Sequence, residues 1–258
     1  MKERLVIIPT YNERENIADI IATVLALKPD FDLLIIDDGS PDGTGQIVKE
    51  LMAGKSEERL FLLERAGKLG LGTAYIAGFR YALAAGYAYV FEMDADFSHN
   101  PKDLVRLYDA CHDGGAGMAI GSRYVTGVNV VNWPMARVMM SYYASHYVRL
   151  VTGMDIRDAT AGFKCYTKAV LEAIDLDKIK FVGYAFQIEM KFKTWLLGFK
   201  ITEVPIIFTD RTKGQSKMSS GIVKEAALGV IQLRIESLFS APKRKRIQPT
   251  HVADAVEV

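Results

Sequence analysis

Asp94-Ala95-Asp96 is the stretch of this chain with the clearest chemistry. It follows Tyr89-Val90-Phe91-Glu92-Met93, a short apolar run that reads as a buried strand. It precedes Phe97-Ser98-His99-Asn100-Pro101, a turn that ends where a helix can begin. Carboxylates at i and i+2, just past a parallel strand, project into the crevice where open α/β sheets bind ligands. Two such charges in a low-dielectric crevice repel each other unless a cation sits between them. Hard oxygen ligands favour magnesium or manganese, ions that commonly bridge to substrate phosphates. A plain Asp-rich turn is the competing reading of these residues taken alone.

Other polar loops reach the same place. Leu5-Val6-Ile7-Ile8 and Leu33-Leu34-Ile35-Ile36 are continuous apolar runs, as expected for strands covered on both faces. The first is broken by Pro9-Thr10-Tyr11-Asn12-Glu13 and the second by Asp37-Asp38-Gly39-Ser40-Pro41-Asp42-Gly43-Thr44. Helical period follows each, through Ile17, Ile20, Ile21, Val24 and Leu25, then through Ile47, Val48, Leu51 and Met52. Leu60-Phe61-Leu62-Leu63 is a third strand, and a Gly67–Gly72 loop leads into a helix through Ala85. Strands alternating with helices imply right-handed βαβ units, a mostly parallel sheet and one α/β domain. Loops 9–13, 37–44 and 94–99 then converge on one sheet edge.

Cations come later in the chain. Arg123 ends a strand-like stretch from Ala116, and Arg137 follows Asn132-Trp133-Pro134, a helix start with Pro near its first turn. That helix is rich in Met and Tyr, which suits either core packing or contact with lipid. Phe186 to Trp195 reads as another helix, and Val204-Pro205-Ile206-Ile207-Phe208 as an edge strand, since Pro cannot donate to a ladder. Asp210-Arg211-Thr212-Lys213-Gly214-Gln215-Ser216-Lys217 is a loop suited to folding over phosphates. Residues 221–239 make an amphipathic helix that packs on the domain or lies in a membrane interface. Residues 241–258, which include Lys243-Arg244-Lys245-Arg246, read as a disordered basic tail.

Several classes are excluded. The loop after the first strand has no glycine, so a dinucleotide pyrophosphate cannot approach its backbone. No Lys-Ser/Thr pair follows Gly67-Lys68-Leu69-Gly70-Leu71-Gly72, so it is not a Walker loop. A net charge of +1 gives no reason to expect nucleic acid. Cys111 and Cys165 match no metal spacing and read as free thiols of a reducing compartment. No stretch reaches the roughly 18 apolar residues of a spanning helix, and no secretory leader is expected. The expected location is cytoplasmic, peripheral on the cytoplasmic face of a membrane.

Pro9–Glu13, Asp37–Thr44, Asp94–Asp96, Ser122-Arg123-Tyr124 and Asp210-Arg211 through Ser216-Lys217-Met218 occur in the order seen in polyprenol (dolichol) phosphate mannosyltransferases of glycosyltransferase family 2. The chain resembles them over about residues 4–240. The resemblance implies a GT-A fold, a Rossmann-like mostly parallel sheet flanked by helices. It implies an inverting transfer of mannose from GDP-mannose to a polyprenyl phosphate lipid at a membrane surface. Pro9, Tyr11, Glu13, Ile36 and Asp38 would hold the nucleoside, and Asp94 and Ala95 would contact the nucleotide sugar. Asp96 would bind Mg2+ or Mn2+, with Asp94 and Ser98 near it. Arg123, Arg211 and Lys217 would bind phosphates, Arg137 would sit near the acceptor phosphate, and 124–134 would be a mobile acceptor loop. Phe97 stands where Leu is common and Lys164 where Arg is common; neither touches the proposed chemistry, though Lys loses Arg's bidentate geometry. Some relatives carry transmembrane helices beyond this domain, so a small membrane-anchoring subunit is an open question here. UDP-glucose as donor, a sugar hydroxyl as acceptor, and a non-catalytic nucleotide-sugar-binding membrane adaptor are the competing functions.

Overall fold

The computed structural model describes residues 2–54, 58–211 and 220–239. Its first half is a run of βα units: β1 (Arg4–Thr10), α1 (Ile17–Leu25), β2 (Asp32–Asp37), α2 (Thr44–Met52), β3 (Leu60–Glu64), α3 (Leu71–Ala85), β4 (Tyr89–Glu92) and α4 (Asp103–His112). The second half holds β5 (Met118–Ser122), β6 (Val130–Val131), α5 (Met135–Thr152), β7 (Lys164–Thr167) and α6 (Lys168–Ala173). It ends with α7 (Tyr184–Leu196), β8 (Ile201–Pro205), β9 (Phe208–Thr209) and α8 (Ser220–Phe239).

Seven strands form the main sheet in the order β3-β2-β1-β4-β7-β5-β8. All neighbouring pairs are parallel except those that β7 makes with β4 and β5. β2 and β3 lie on one side of β1, and β4 lies on the other. The strand order therefore reverses between β1 and β4, and the carboxyl ends of those two strands open a crevice. Pro9–Glu13 and Asp94–Ser98 leave the sheet there.

The apolar runs need both faces. Leu5 and Ile7 pack in a core with α3 and α7, while Val6 and Ile8 pack in the opposite core with α1 and α4, all four fully buried. This alternation is the period-two geometry of a strand covered twice. α3 lies so close to the sheet that a Cβ at Gly78 would meet Ile7 Cδ1 at 2.7 Å. Cys111 and Cys165 are buried free thiols.

Three expectations need adjusting. β7, unread in the sequence, runs antiparallel through the middle of the sheet. The expected edge strand at 204–208 is split: β8 is the sheet edge and ends at Pro205, while Phe208 and Thr209 leave to pair with β6. α8 buries Val230 and Leu233 but exposes Leu228, Ile231, Ile235, Leu238 and Phe239, so apolar side chains occupy its outward side as well as its inward one. No helix among the described residues is long and apolar enough to cross a membrane. The tail after residue 240 lies outside the described residues.

Candidate functional site

A cavity of about 810 Å³ opens over the β1/β4 switch. Pro9, Tyr11, Glu13 and Asp38 line one end, Asp94, Ala95, Asp96 and Ser98 its floor, and Arg123, Arg137 and Arg211 the far wall. The space continues into an apolar slot between α5 and α8, walled by Met140, Tyr147, Val148 and Val230. Tyr147 closes the back of that slot by donating its hydroxyl to the Ala227 carbonyl at 2.9 Å.

The loops that frame the cavity are bent against preference. Among the described residues, the non-glycine residues with positive φ are Asn12 (57°), Phe97 (58°) and Asn132 (63°), and each adjoins a lining residue. For a bulky Phe this region is costly, and such strain gathers at working sites. At Phe97 the bend turns the Ser98 N–H back onto Asp96 Oδ1 at 3.0 Å.

The paired carboxylates on the floor differ. Asp96 is buried and pairs with Arg211 at 2.8 Å. Burial raises its pKa, but the Ser98 side chain, Arg211 and the Ser98 amide outweigh that and hold it below the usual range. Ser98 Oγ sits close enough to favour that charge, yet it makes no hydrogen bond of good geometry and is buried. Asp94 is pushed up to about 7, first by its low-dielectric surroundings and then by Asp96, against the pull of Arg211. Its side chain remains 42% exposed, so crowding of negative charge at the cavity mouth accounts for the shift better than deep burial. His99 is no counter-ion. Burial pushes it down to about 4, its ring stacks on Phe163 at 4.8 Å, and its Nδ1 accepts from the Asp94 N–H at 3.5 Å.

A buried polar node supports this floor. Glu92 precedes Asp94 by two residues and is fully buried. Its carboxylate takes Lys164 Nζ at 3.1 Å, the Tyr166 hydroxyl at 2.8 Å and the Gln187 amide at 2.8 Å. β7 supplies Lys164 directly opposite Glu92 on β4. Lys164 therefore supports the floor through Glu92 without lining the cavity itself. Burial lowers its pKa, and the Glu92 charge opposes that.

The cations are committed to partners. Arg123 is buried, holds Asp158 through Nε at 2.7 Å and Nη2 at 2.6 Å, and faces the Trp133 ring at 5.4 Å. Arg137 lies over Trp133 at 4.0 Å and pairs with Asp210 at 3.0 Å. Asp38 forms a two-point pair with Arg65 at 2.7 and 3.0 Å. Ile36 is wholly buried in the core beside Pro9, its partner in the β1–β2 ladder. Lys217 falls outside the described residues.

The sequence profile described as glycosyl transferase family 2 matches residues 5–175. The chain belongs to that family. It is 48% identical to the polyprenol monophosphomannose synthase of Mycolicibacterium smegmatis, across 88% of this chain and 85% of that protein. It is 47% identical to the undecaprenyl-phosphate mannosyltransferase of Micrococcus luteus, across 88% of this chain and 91% of that one. A solved structure with the same fold is glucosyl-3-phosphoglycerate synthase from Mycobacterium tuberculosis in complex with Mn2+, UDP and phosphoglyceric acid. It has a TM-score of 0.66 at 16% identity, covering 90% of this chain and 78% of that one. The resemblance to polyprenol phosphate mannosyltransferases and the GT-A fold are both upheld.

Arg65, Glu92, Asp158 and Gln187 were not singled out for the site of this family 2 transferase from sequence, and Asp210 was read only as the start of the phosphate loop. Each gains its place from a tertiary pairing. The one local signal was charge inside otherwise buried runs, at Glu92 before the Asp94 turn and at Glu189 in the Phe186–Met190 stretch beside Gln187.

Proposed function

We propose that the protein transfers mannose from GDP-mannose to a polyprenyl phosphate, with inversion at the anomeric carbon. The observation that carries this reading is the continuity of one cavity from the Asp94–Asp96–Arg211 cluster into the apolar slot between α5 and α8. Clustered charge suits a diphosphate at one end, and the apolar slot suits the first units of an isoprenoid chain at the other. The names of the two relatives support the same acceptor class.

The floor fits a hard divalent cation. Its donors are oxygens, the Ser98 hydroxyl lacks a good hydrogen bond, and the crowding that raises Asp94 is relieved by positive charge. No group of three or more His, Cys, Asp or Glu side chains among the described residues could hold a metal alone, so substrate oxygens would complete the shell. Mg2+ or Mn2+ held by Asp94, Asp96 and Ser98 would neutralise charge on the leaving diphosphate. The Mn2+ and UDP bound by the M. tuberculosis neighbour support divalent-ion dependence without choosing the metal.

The chain's own residues do the rest. The nucleoside rests against Pro9, Tyr11, Glu13 and Asp38, with Ile36 beside Pro9 on the next strand. Arg211 and Lys217 take diphosphate oxygens. Arg137 orients the acceptor phosphate in line with the anomeric carbon. Arg123, tied to Asp158, positions Trp133 beneath Arg137. An acceptor phosphate is anionic near neutral pH, so no side chain has to remove a proton from it. Exposed Met135, Met139, Tyr143 and Leu150 on α5, with Leu238 and Phe239 on α8, would meet the cytoplasmic leaflet.

The uridine nucleotide of the neighbour keeps UDP-glucose as the competing donor, while the apolar slot speaks against a free sugar hydroxyl as acceptor. Full-length protein is incubated with GDP-mannose, Mn2+ or Mg2+, and farnesyl phosphate in detergent, with UDP-glucose in parallel. Metal-dependent mannosyl lipid from GDP-mannose alone is the expected result. Product from UDP-glucose only would replace the donor, and lipid product from neither would overturn the acceptor.

A further inference from the structure

The two charged ends of the site meet in a pair of adjacent residues. Arg211 Nη2 donates to Asp96 Oδ2 at 2.8 Å, and Arg137 Nη1 donates to Asp210 Oδ1 at 3.0 Å. The Arg211 backbone N–H donates to that same Asp210 oxygen at 3.2 Å. One carboxylate oxygen thus holds both the acceptor-side guanidinium and the backbone of the donor-side arginine. The segment is anchored as it enters the pair: Asp210 N–H donates to the Val131 carbonyl at 3.0 Å, and Thr209 N–H to the Ser98 carbonyl at 3.2 Å. Phe208, next in line, packs edge-on against both Trp133 and His99, each at 5.2 Å. A change at Asp96 therefore has a short covalent and hydrogen-bonded route to Arg137.

We propose that Asp210 is a positioning residue that makes binding of the acceptor phosphate depend on the donor diphosphate. The proposal rests on the donor and acceptor reading given above. Without a nucleotide, Asp210 occupies Arg137, and an incoming phosphate has to displace a carboxylate of its own sign. A diphosphate at the Asp94–Asp96 floor competes with Asp96 for the Arg211 guanidinium. When Arg211 turns to it, its amide shifts the Asp210 carboxylate with it, and Arg137 passes to the acceptor. Stacking on Trp133 at 4.0 Å keeps Arg137 aimed into the cavity once the ion pair opens. Coupling of this kind is reciprocal, so the acceptor strengthens donor binding by the same factor.

Farnesyl phosphate binding to the full-length protein in detergent, measured by calorimetry with and without GDP and Mn2+, tests this. Wild type should bind farnesyl phosphate about tenfold more tightly with GDP and Mn2+ present. Asp210→Asn should bind it without nucleotide about as tightly as wild type does with nucleotide, and GDP should add less than about twofold. Asp210→Ser should behave like Asp210→Asn, and Asp210→Glu should restore the dependence. GDP affinity in the absence of lipid should rise by the same factor in Asp210→Asn and Asp210→Ser, and stay at the wild-type value in Asp210→Glu. Nucleotide dependence that persists in Asp210→Asn and Asp210→Ser, or that wild type lacks, overturns the coupling. GDP binding with no farnesyl phosphate binding by any form overturns the acceptor reading and the coupling together.

Discussion

The loop after β2 and the turn after β4 both set paired aspartates at the carboxyl end of a parallel strand. After β2 the carboxylates are consumed by the fold. Asp37 accepts from the Thr10 hydroxyl at 3.0 Å, the Ser40 amide at 3.0 Å and the Ser40 hydroxyl at 2.6 Å. Asp42 takes the Thr44 amide at 3.0 Å and the Arg14 amide at 3.1 Å, and Asp38 is locked to Arg65. After β4 the backbone is strained at Phe97, Asp94 is 42% exposed with its pKa raised, and the counter-charge on Asp96 comes from a residue more than a hundred positions away. Satisfied carboxylates brace a loop. Crowded ones leave negative charge that an added cation would relieve.

Three substitutions test that contrast. Asp96→Ala is expected to lower transfer by about a thousandfold, because a lost metal contact forfeits several kcal/mol of leaving-group stabilisation. Its urea midpoint should fall less than that of Asp38→Ala, because Arg211 is 26% exposed and can turn to water, and near-normal turnover would place the metal elsewhere. Asp38→Ala should act mainly on the fold. It strands Arg65, whose side chain is only 10% exposed, at a cost of about 3 kcal/mol in urea unfolding. An unchanged midpoint would mean that Asp38 does not brace the loop and serves only the nucleoside end of the cavity.

The smallest effect concerns pH. Asp94 is raised in the folded protein, from 3.8 to about 7. Its contribution to stability is therefore complete below the unfolded value and fades as pH rises through about 7. Metal-free wild type should lose stability between pH 4 and 8, Asp94→Asn should lose less over that range, and saturating Mn2+ should remove the difference. Equal slopes for the two proteins would show that Asp94 is not the crowded member of the pair.

The same contrast explains what could be read in advance. β1, β2, β3 and their helices announce themselves, because apolar runs and helical periods are local and both faces of each strand are covered. Asp94–Asp96 was legible because its neighbours Glu92-Met93 and Ser98-His99 set it between a strand and a turn. β7 was not. It is four residues long and begins with a lysine that reads as exposed until Glu92 is seen opposite it. Arg123 shows the converse: the resemblance implied a phosphate ligand, while Asp158, Thr160 and the Trp133 ring surround it in the fold. Spacing reports which strand end a residue occupies, but it cannot report which distant partner already holds its charge.

The division between the two acidic loops is tested most directly by titrating Mn2+ into full-length protein in the presence of GDP. Three forms are compared: wild type, Asp96→Asn and Asp37→Asn. Wild type and Asp37→Asn should bind the ion with affinities within about threefold of each other, while Asp96→Asn should weaken it by about a hundredfold or more. Equal losses in Asp96→Asn and Asp37→Asn would contradict the assignment of the metal to the turn after β4.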